Sequence, residues 1–161
     1  MLDDDLRINE FLVGYGKVLV ADLDDSRLAE QPVAGVNHPA WILGHLTITT
    51  FRGREILGQS VAAPAGWKEL YAGGSQPSTD RARYGSKDEL LAAFESGFAG
   101  LRDAVRHATP EQLAQPNEHP RLKGALPTLA GMVGFLLTGH VGIHLGQLST
   151  WRRLIGLPPL F

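Results

Sequence analysis

From about Thr128 to Ile155 the chain is apolar or small almost all the way round a helix, yet it carries two histidines, His140 and His144. A helix of that kind belongs in the middle of a bundle or against another subunit, because no face of it suits water. On a wheel of about 100° per residue, Val133, Leu136, Leu137, Gln147, Trp151, Leu154 and Ile155 fall within roughly 60° of His140. His144 lies only about 40° from it, so both rings point inward. A buried imidazole is costly unless its nitrogens are hydrogen-bonded or coordinated.

The remaining helical periods supply partners for this segment. Ile8, Phe11, Leu12, Tyr15, Val18 and Leu19 recur at helical spacing between Leu6 and Leu23. A second helix begins at "NHPAWILGHL", with Asn37 as the expected N-cap and Pro39 in the first turn. Its inner stripe is Trp41, Ile42, His45, Ile48 and Ile56. A third opens at Ser86 with Glu89 three residues on, a capping-box arrangement, and buries Leu90, Leu91, Phe94, Phe98, Leu101 and Val105. Gly156, Pro158 and Pro159 stop the fourth. No segment alternates with period two. The expectation is one all-α domain over residues 1–161, a four-helix bundle. The long joint over residues 58–85 can return the chain to the same end of the bundle, which permits an up-down-down-up order.

Composition narrows the function classes. A net charge of -2 over 161 residues gives no clustered cation for a phosphate backbone, so nucleic acid is not an expected partner. The chain has no cysteine, which removes thiolate ligands, disulfides and a cysteine nucleophile together. The acidic start "MLDDDLRINEF" is unlike a signal peptide, and no uncharged apolar run has spanning length; the expected location is cytoplasmic, away from membrane.

The histidine pair admits three readings: neutral core rings bonded to neighbouring helices, a catalytic base with a partner, or a metal clamp. Histidines at i and i+4 form a recurrent chelating geometry. A clamp needs a third ligand, and His45 lies on the inward face of the second helix. Three imidazoles suit one divalent ion, Zn²⁺ first, with Ni²⁺ or Fe²⁺ also compatible, and leave a coordination position open. Of the other histidines, His38 lies about 10 Å up the helix from His45, near a mouth. His107 complements a helix C-terminus, and His119 belongs to a loop.

"NHPAWILGHL" followed about ninety residues later by "GHVGIHLGQL" resembles the DinB/YfiT-like family of small helical metalloproteins. The resemblance spans all four helices. It implies His45, His140 and His144 as metal ligands, an up-down-down-up bundle with long crossovers, and a homodimer. It also implies chemistry on a small-molecule substrate. One form is thiol-dependent S-transfer with a low-molecular-weight thiol; the alternatives are a hydrolase using metal-bound water and a metal-binding scaffold without turnover.

Several residues are candidates around such a site. Thr49 and Arg52 follow His45 by one and two turns and would line a pocket, where Arg52 could hold a carboxylate or phosphate or simply snorkel to the surface. Gln147 could orient a ligand imidazole or bridge helices. Asp22 and Glu55 are the available general bases. Trp41, Tyr15 and Trp151 read as core. The far side of the fourth helix, with Gly131, Phe135, Thr138, Gly142 and Leu145, offers a dimer face.

Overall fold

The computed structural model describes residues 2–160 and is helical, with no strand among them. Its helices are α1 (Asp3–Ala21), α2 (Pro39–Ile56), α3 (Trp67–Tyr71), α4 (Lys87–His107), α5 (Pro110–Leu113), α6 (Leu129–Leu137) and α7 (Gly139–Leu154). α1, α2, α4 and the α6–α7 pair are the four staves of a bundle. Their contacts fix its direction. Gly97 faces Thr47 and Thr50 while Gly53 faces Leu101, so α2 and α4 run parallel. Lys17 pairs with Glu95 and Asn9 with Arg102, so α1 and α4 are antiparallel. Asn9 meets Leu137 and Leu19 meets Arg152, which sets α1 parallel to the last stave. The order is up-down-down-up, and the parallel α2–α4 step is made by the 57–86 crossover, on which α3 docks against α2.

Local capping explains where the staves begin. Ser86 Oγ accepts from the Glu89 amide and Glu89 Oε2 accepts from the Ser86 amide, the reciprocal box expected at α4. At α2 the cap lies one residue beyond the expected Asn37: His38 Nδ1 accepts from the Trp41 amide at 3.2 Å. Its Nε2–H donates to the Ser78 carbonyl at 3.0 Å, so His38 is a fully buried strut rather than a residue at a mouth. Burial pushes its pKa down to about 4.

Of the stripe expected on α1, Leu19 is buried and Leu12 and Tyr15 pack at the edge of the core, but its other three members point outward. Ile8, Phe11 and Val18 are exposed, whereas Leu6, Asn9, Val13, Gly16, Leu19 and Val20 face the core. The reason is that the inner face carries small and polar residues. Gly16 lets α1 approach Phe94 and Leu145, and buried Asn9 is satisfied by donating to the Leu137 carbonyl at 2.7 Å and accepting from Arg102 at 2.7 Å.

The fourth stave is not one straight helix. Thr138, at φ -125° and ψ -77°, separates α6 from α7. Its hydroxyl donates to the Gly134 carbonyl at 2.7 Å, and Asn9 donates to the carbonyl beside the break. A hydroxyl bonded back to the preceding turn, next to a glycine, is a recognised cause of a helix break. The break re-aims α7. Leu145, expected on a dimer face, is core at 1 % exposure, and Leu154, expected inside, is exposed. Counted through the break, Leu129–Leu154 is long and apolar enough by length and composition to cross a membrane, contrary to the sequence expectation; half of it is buried inside the bundle.

Asp22 proves to be a structural carboxylate. Arg152, buried to 1 % exposure, donates Nη2 to Asp22 Oδ2 at 2.9 Å and Nη1 to both Asp22 Oδ1 and the Leu19 carbonyl. That guanidinium holds the Asp22 carboxyl below the usual carboxylate range. It stands eight residues, or about 12 Å along the helix, from His144 and is no base for the histidine cluster. Asp22→Ala leaves a buried cation half-paired and is expected to cost about 2 kcal/mol, less than a fully buried pair because Asp22 is itself half exposed. Urea denaturation measures it, and an unchanged midpoint would refute this role.

Candidate metal centre

His45 comes from the middle of α2, and His140 and His144 from the first two turns of α7, just past the break. Their rings converge: the centroids of His45 lie 5.2 Å from His140 and 4.6 Å from His144, and His140 and His144 are 4.7 Å apart. One nitrogen from each lies within 4.8 Å of the others. No Asp or Glu joins that cluster among the described residues.

Two of the three rings are held in a fixed tautomer. His45 Nδ1–H donates to the Tyr71 carbonyl at 2.7 Å, and His144 Nδ1–H donates to Gln147 Oε1 at 3.0 Å. Each bond puts the proton on Nδ1 and leaves the Nε2 lone pair facing the cluster. His140 Nε2 lies 3.3 Å from His45 Nε2, while His140 Nδ1 is buried with no partner. Burial first, and the neighbouring imidazoles second, push His140 down to about 3 and His144 to about 4; burial lowers His45 as well. All three are therefore neutral donors at neutral pH.

These residues fit a divalent ion. A tetrahedral ion with bonds of ~2.0–2.1 Å sets its nitrogens about 3.3 Å apart, which matches the His45–His140 spacing. The His140 tautomer is open: with its proton on Nε2 the ring donates to His45 Nε2, and a cation between the two nitrogens would take both lone pairs instead.

The supports come from residues that are silent as motifs. Gly44, immediately before His45, has the Tyr71 ring where a side chain would be: a Cβ there would lie under 3.0 Å from three ring carbons. This close approach seats α3 on α2 and brings the Tyr71 carbonyl to His45. Trp41 stacks on His45 with centroids 4.6 Å apart at 7° and donates its indole N–H to Ser75 Oγ, so it is both core and wall of the site. Gln147, named from sequence, bonds His144; the surprise is Asn37, whose Nδ2 donates to the same Gln147 Oε1 at 3.0 Å. Two donors on one oxygen fix the amide orientation. Gln147→Leu is expected to weaken metal affinity about tenfold with little change in melting temperature, Gln147 being exposed. Competition against a chromogenic chelator reads this directly, and equal affinities would remove Gln147 from the site.

Thr49 and Arg52 line a pocket of about 390 Å³ that reaches His45 and is closed on its other side by Lys68, Ala63 and Ala72 of the crossover. Glu55 lines its outer end, ten residues from His45 and so about 15 Å along α2, where it pairs with Arg52 at 3.5 Å. It is too distant to serve as a base at the cluster. His107 lies at the end of α4, bonded to the Asp103 carbonyl, and His119 in the loop after α5; neither joins the cluster.

Comparison with known proteins agrees with this architecture. The family model described as the DinB superfamily matches residues 17–148. No curated protein matches the sequence. Among solved structures, one from Bacillus subtilis is similar at a TM-score of 0.70 and 18% identity, covering 98% of this chain and 89% of its own. It is described as "YfiT from Bacillus subtilis is a probable metal-dependent hydrolase with an unusual four-helix bundle topology". At that identity the likeness establishes the shared fold.

Proposed function

This chain belongs to the DinB superfamily, and we propose that it is a divalent-metal-dependent enzyme whose ion is held by His45, His140 and His144. The observation that carries the proposal is the convergence of three neutral imidazoles, two of them held in a fixed tautomer, with His45 at the wall of a pocket. A divalent ion there supplies Lewis acidity, acidifying a bound water toward neutral pH for hydrolysis or holding a cosubstrate thiol as thiolate for S-transfer.

The protein's own groups do the positioning. Tyr71 and Gln147 keep the lone pairs of His45 and His144 on the site side, and Trp41 covers one face of His45 and limits water. The pocket along α2 gives a small-molecule substrate its approach. Hydrolysis is the leading reading, supported by the description of the structurally similar Bacillus subtilis protein. The thiol reading draws on a different observation: Asp22 and Glu55 are both held in ion pairs away from the cluster, so no carboxylate base stands beside the histidines and a cosubstrate thiol would depend on the ion to be held as thiolate. Zinc is the proposed ion, with nickel and ferrous iron as the other occupants of such a donor set.

Elemental analysis of the purified protein beside His45→Ala and His144→Ala tests the ligand set. One ion per chain is expected in the parent and a loss of most of it in each variant. Full metal content in both variants would reject the assignment. Ester or amide turnover by the loaded protein without added thiol supports hydrolysis; activity that requires a low-molecular-weight thiol supports transfer.

A further inference from the structure

The pocket beside the histidine cluster is built asymmetrically along its length. Along α2 it runs from His45 past Ile48 and Phe51 to Arg52, and the crossover adds Ala63 and a second cation, Lys68 of α3, to its lining. Arg52 is seven residues from His45, so about 10 Å separates the ring from the cationic end. The one carboxylate there, Glu55, is engaged with Arg52 in an exposed pair at 3.5 Å, with the two side chains 59 % and 37 % accessible. A pair of that kind is weak and exchanges readily for a ligand anion. Lys68 lines the pocket from α3 on the crossover, so the two cations come from different elements. A volume of about 390 Å³ lies within the range of sites for small organic molecules.

We propose that the pocket takes a small anionic amphiphile, whose carboxylate or phosphoryl head sits between Arg52 and Lys68 and whose apolar body lies on Ile48 and Phe51 with its reactive group at the His45 end. This names the substrate class of the site proposed above and rests on that reading for the orientation, though the head-group contact itself needs no ion. Arg52 offers a planar fork suited to either anion, and Lys68 adds a point charge. Neutral molecules of the same length lack the contact with the two cations, so the pair selects for an anionic substrate.

Three six-carbon probes separate the possibilities: hexanoate, hexyl phosphate and hexanol. Their binding is measured by NMR titration at low salt, in metal-loaded protein and in metal-stripped protein whose helicity is checked by circular dichroism. Either anion is expected to bind roughly fivefold tighter than hexanol in both forms, with the advantage shrinking as salt is added. The tighter of the two identifies the head group. In Arg52→Gln/Lys68→Gln the advantage disappears, while hexanol binding is unchanged. Equal binding of hexanol and both anions, or a preference retained by the double variant, overturns the proposal. Metal content of the same samples reports separately on the histidine ligands; where stripping disturbs the helices, the comparison of parent and double variant in the loaded form decides.

Discussion

Gly44→Ala is expected to destabilise the protein by about 3 kcal/mol and to empty the metal site, although it adds only one methyl group to a helix that would otherwise favour alanine. The new Cβ falls under 3.0 Å from three carbons of the Tyr71 ring, and Tyr71 is itself buried to 1 % exposure, so the ring has no free direction in which to retreat. Either α3 lifts from α2 or the α2 backbone shifts. Both separate the Tyr71 carbonyl from His45 Nδ1, now 2.7 Å apart, and release the ring from the tautomer that aims Nε2 at the site. The change thus acts on affinity through the ligand's support as well as on stability through packing. Elemental analysis gives the first and urea unfolding the second. Combining it with Tyr71→Ala removes the clash while keeping the accepting carbonyl, which is main chain; metal content should then recover while stability stays low, because the ring's cavity remains. Unchanged metal content in Gly44→Ala alone would show that the carbonyl does not position His45.

That support explains what could be read from the sequence and what could not. The histidine cluster was legible because His140 and His144 share one helical face at any helix orientation, and because His45 falls on the inward face of α2. The α4 start was visible because a capping box is a local contact between Ser86 and Glu89. The missed features depend on chain segments far apart. Asn9 identifies the inner face of α1 only once Leu137 and Arg102 are beside it, 128 and 93 residues away. Without them, Ile8, Phe11 and Val18 make the more apolar stripe. The break at Thr138 shifted the burial of Leu145 and Leu154 against a straight wheel. Asp22 passed for a candidate base because nothing nearby in sequence announces Arg152 as its partner. Gly44 did carry a signal, a glycine inside a helix next to a histidine of the cluster, but its meaning required the Tyr71 ring.

Acidification of the metal-free protein is the other large effect. His140 is pushed down to about 3 and His38 and His144 to about 4, with His45 lowered in the same direction, against an ordinary value of 6.5. Between those limits the unfolded chain takes up protons that the folded chain refuses. Stability is therefore intact above pH 6.5 and falls as pH drops through 6 toward 4, each unit of displacement per histidine being worth about 1.4 kcal/mol. Several such groups acting together approach the whole stability of a domain, roughly 5–15 kcal/mol, so the metal-free protein is expected to unfold between pH 6 and 4. A bound ion competes with the same protons and binds the folded state alone; at a free concentration of 100 times Kd it adds about 2.7 kcal/mol and moves the transition to lower pH. Because the folded rings are already neutral, metal binding near pH 7 releases few protons, and calorimetric enthalpies should be the same in buffers of different ionisation heat. The two measurements divide the causes. A strong buffer dependence would mean that the rings are charged before the ion arrives, whereas a metal-free protein fully folded at pH 4 would mean that they accept protons without leaving the core.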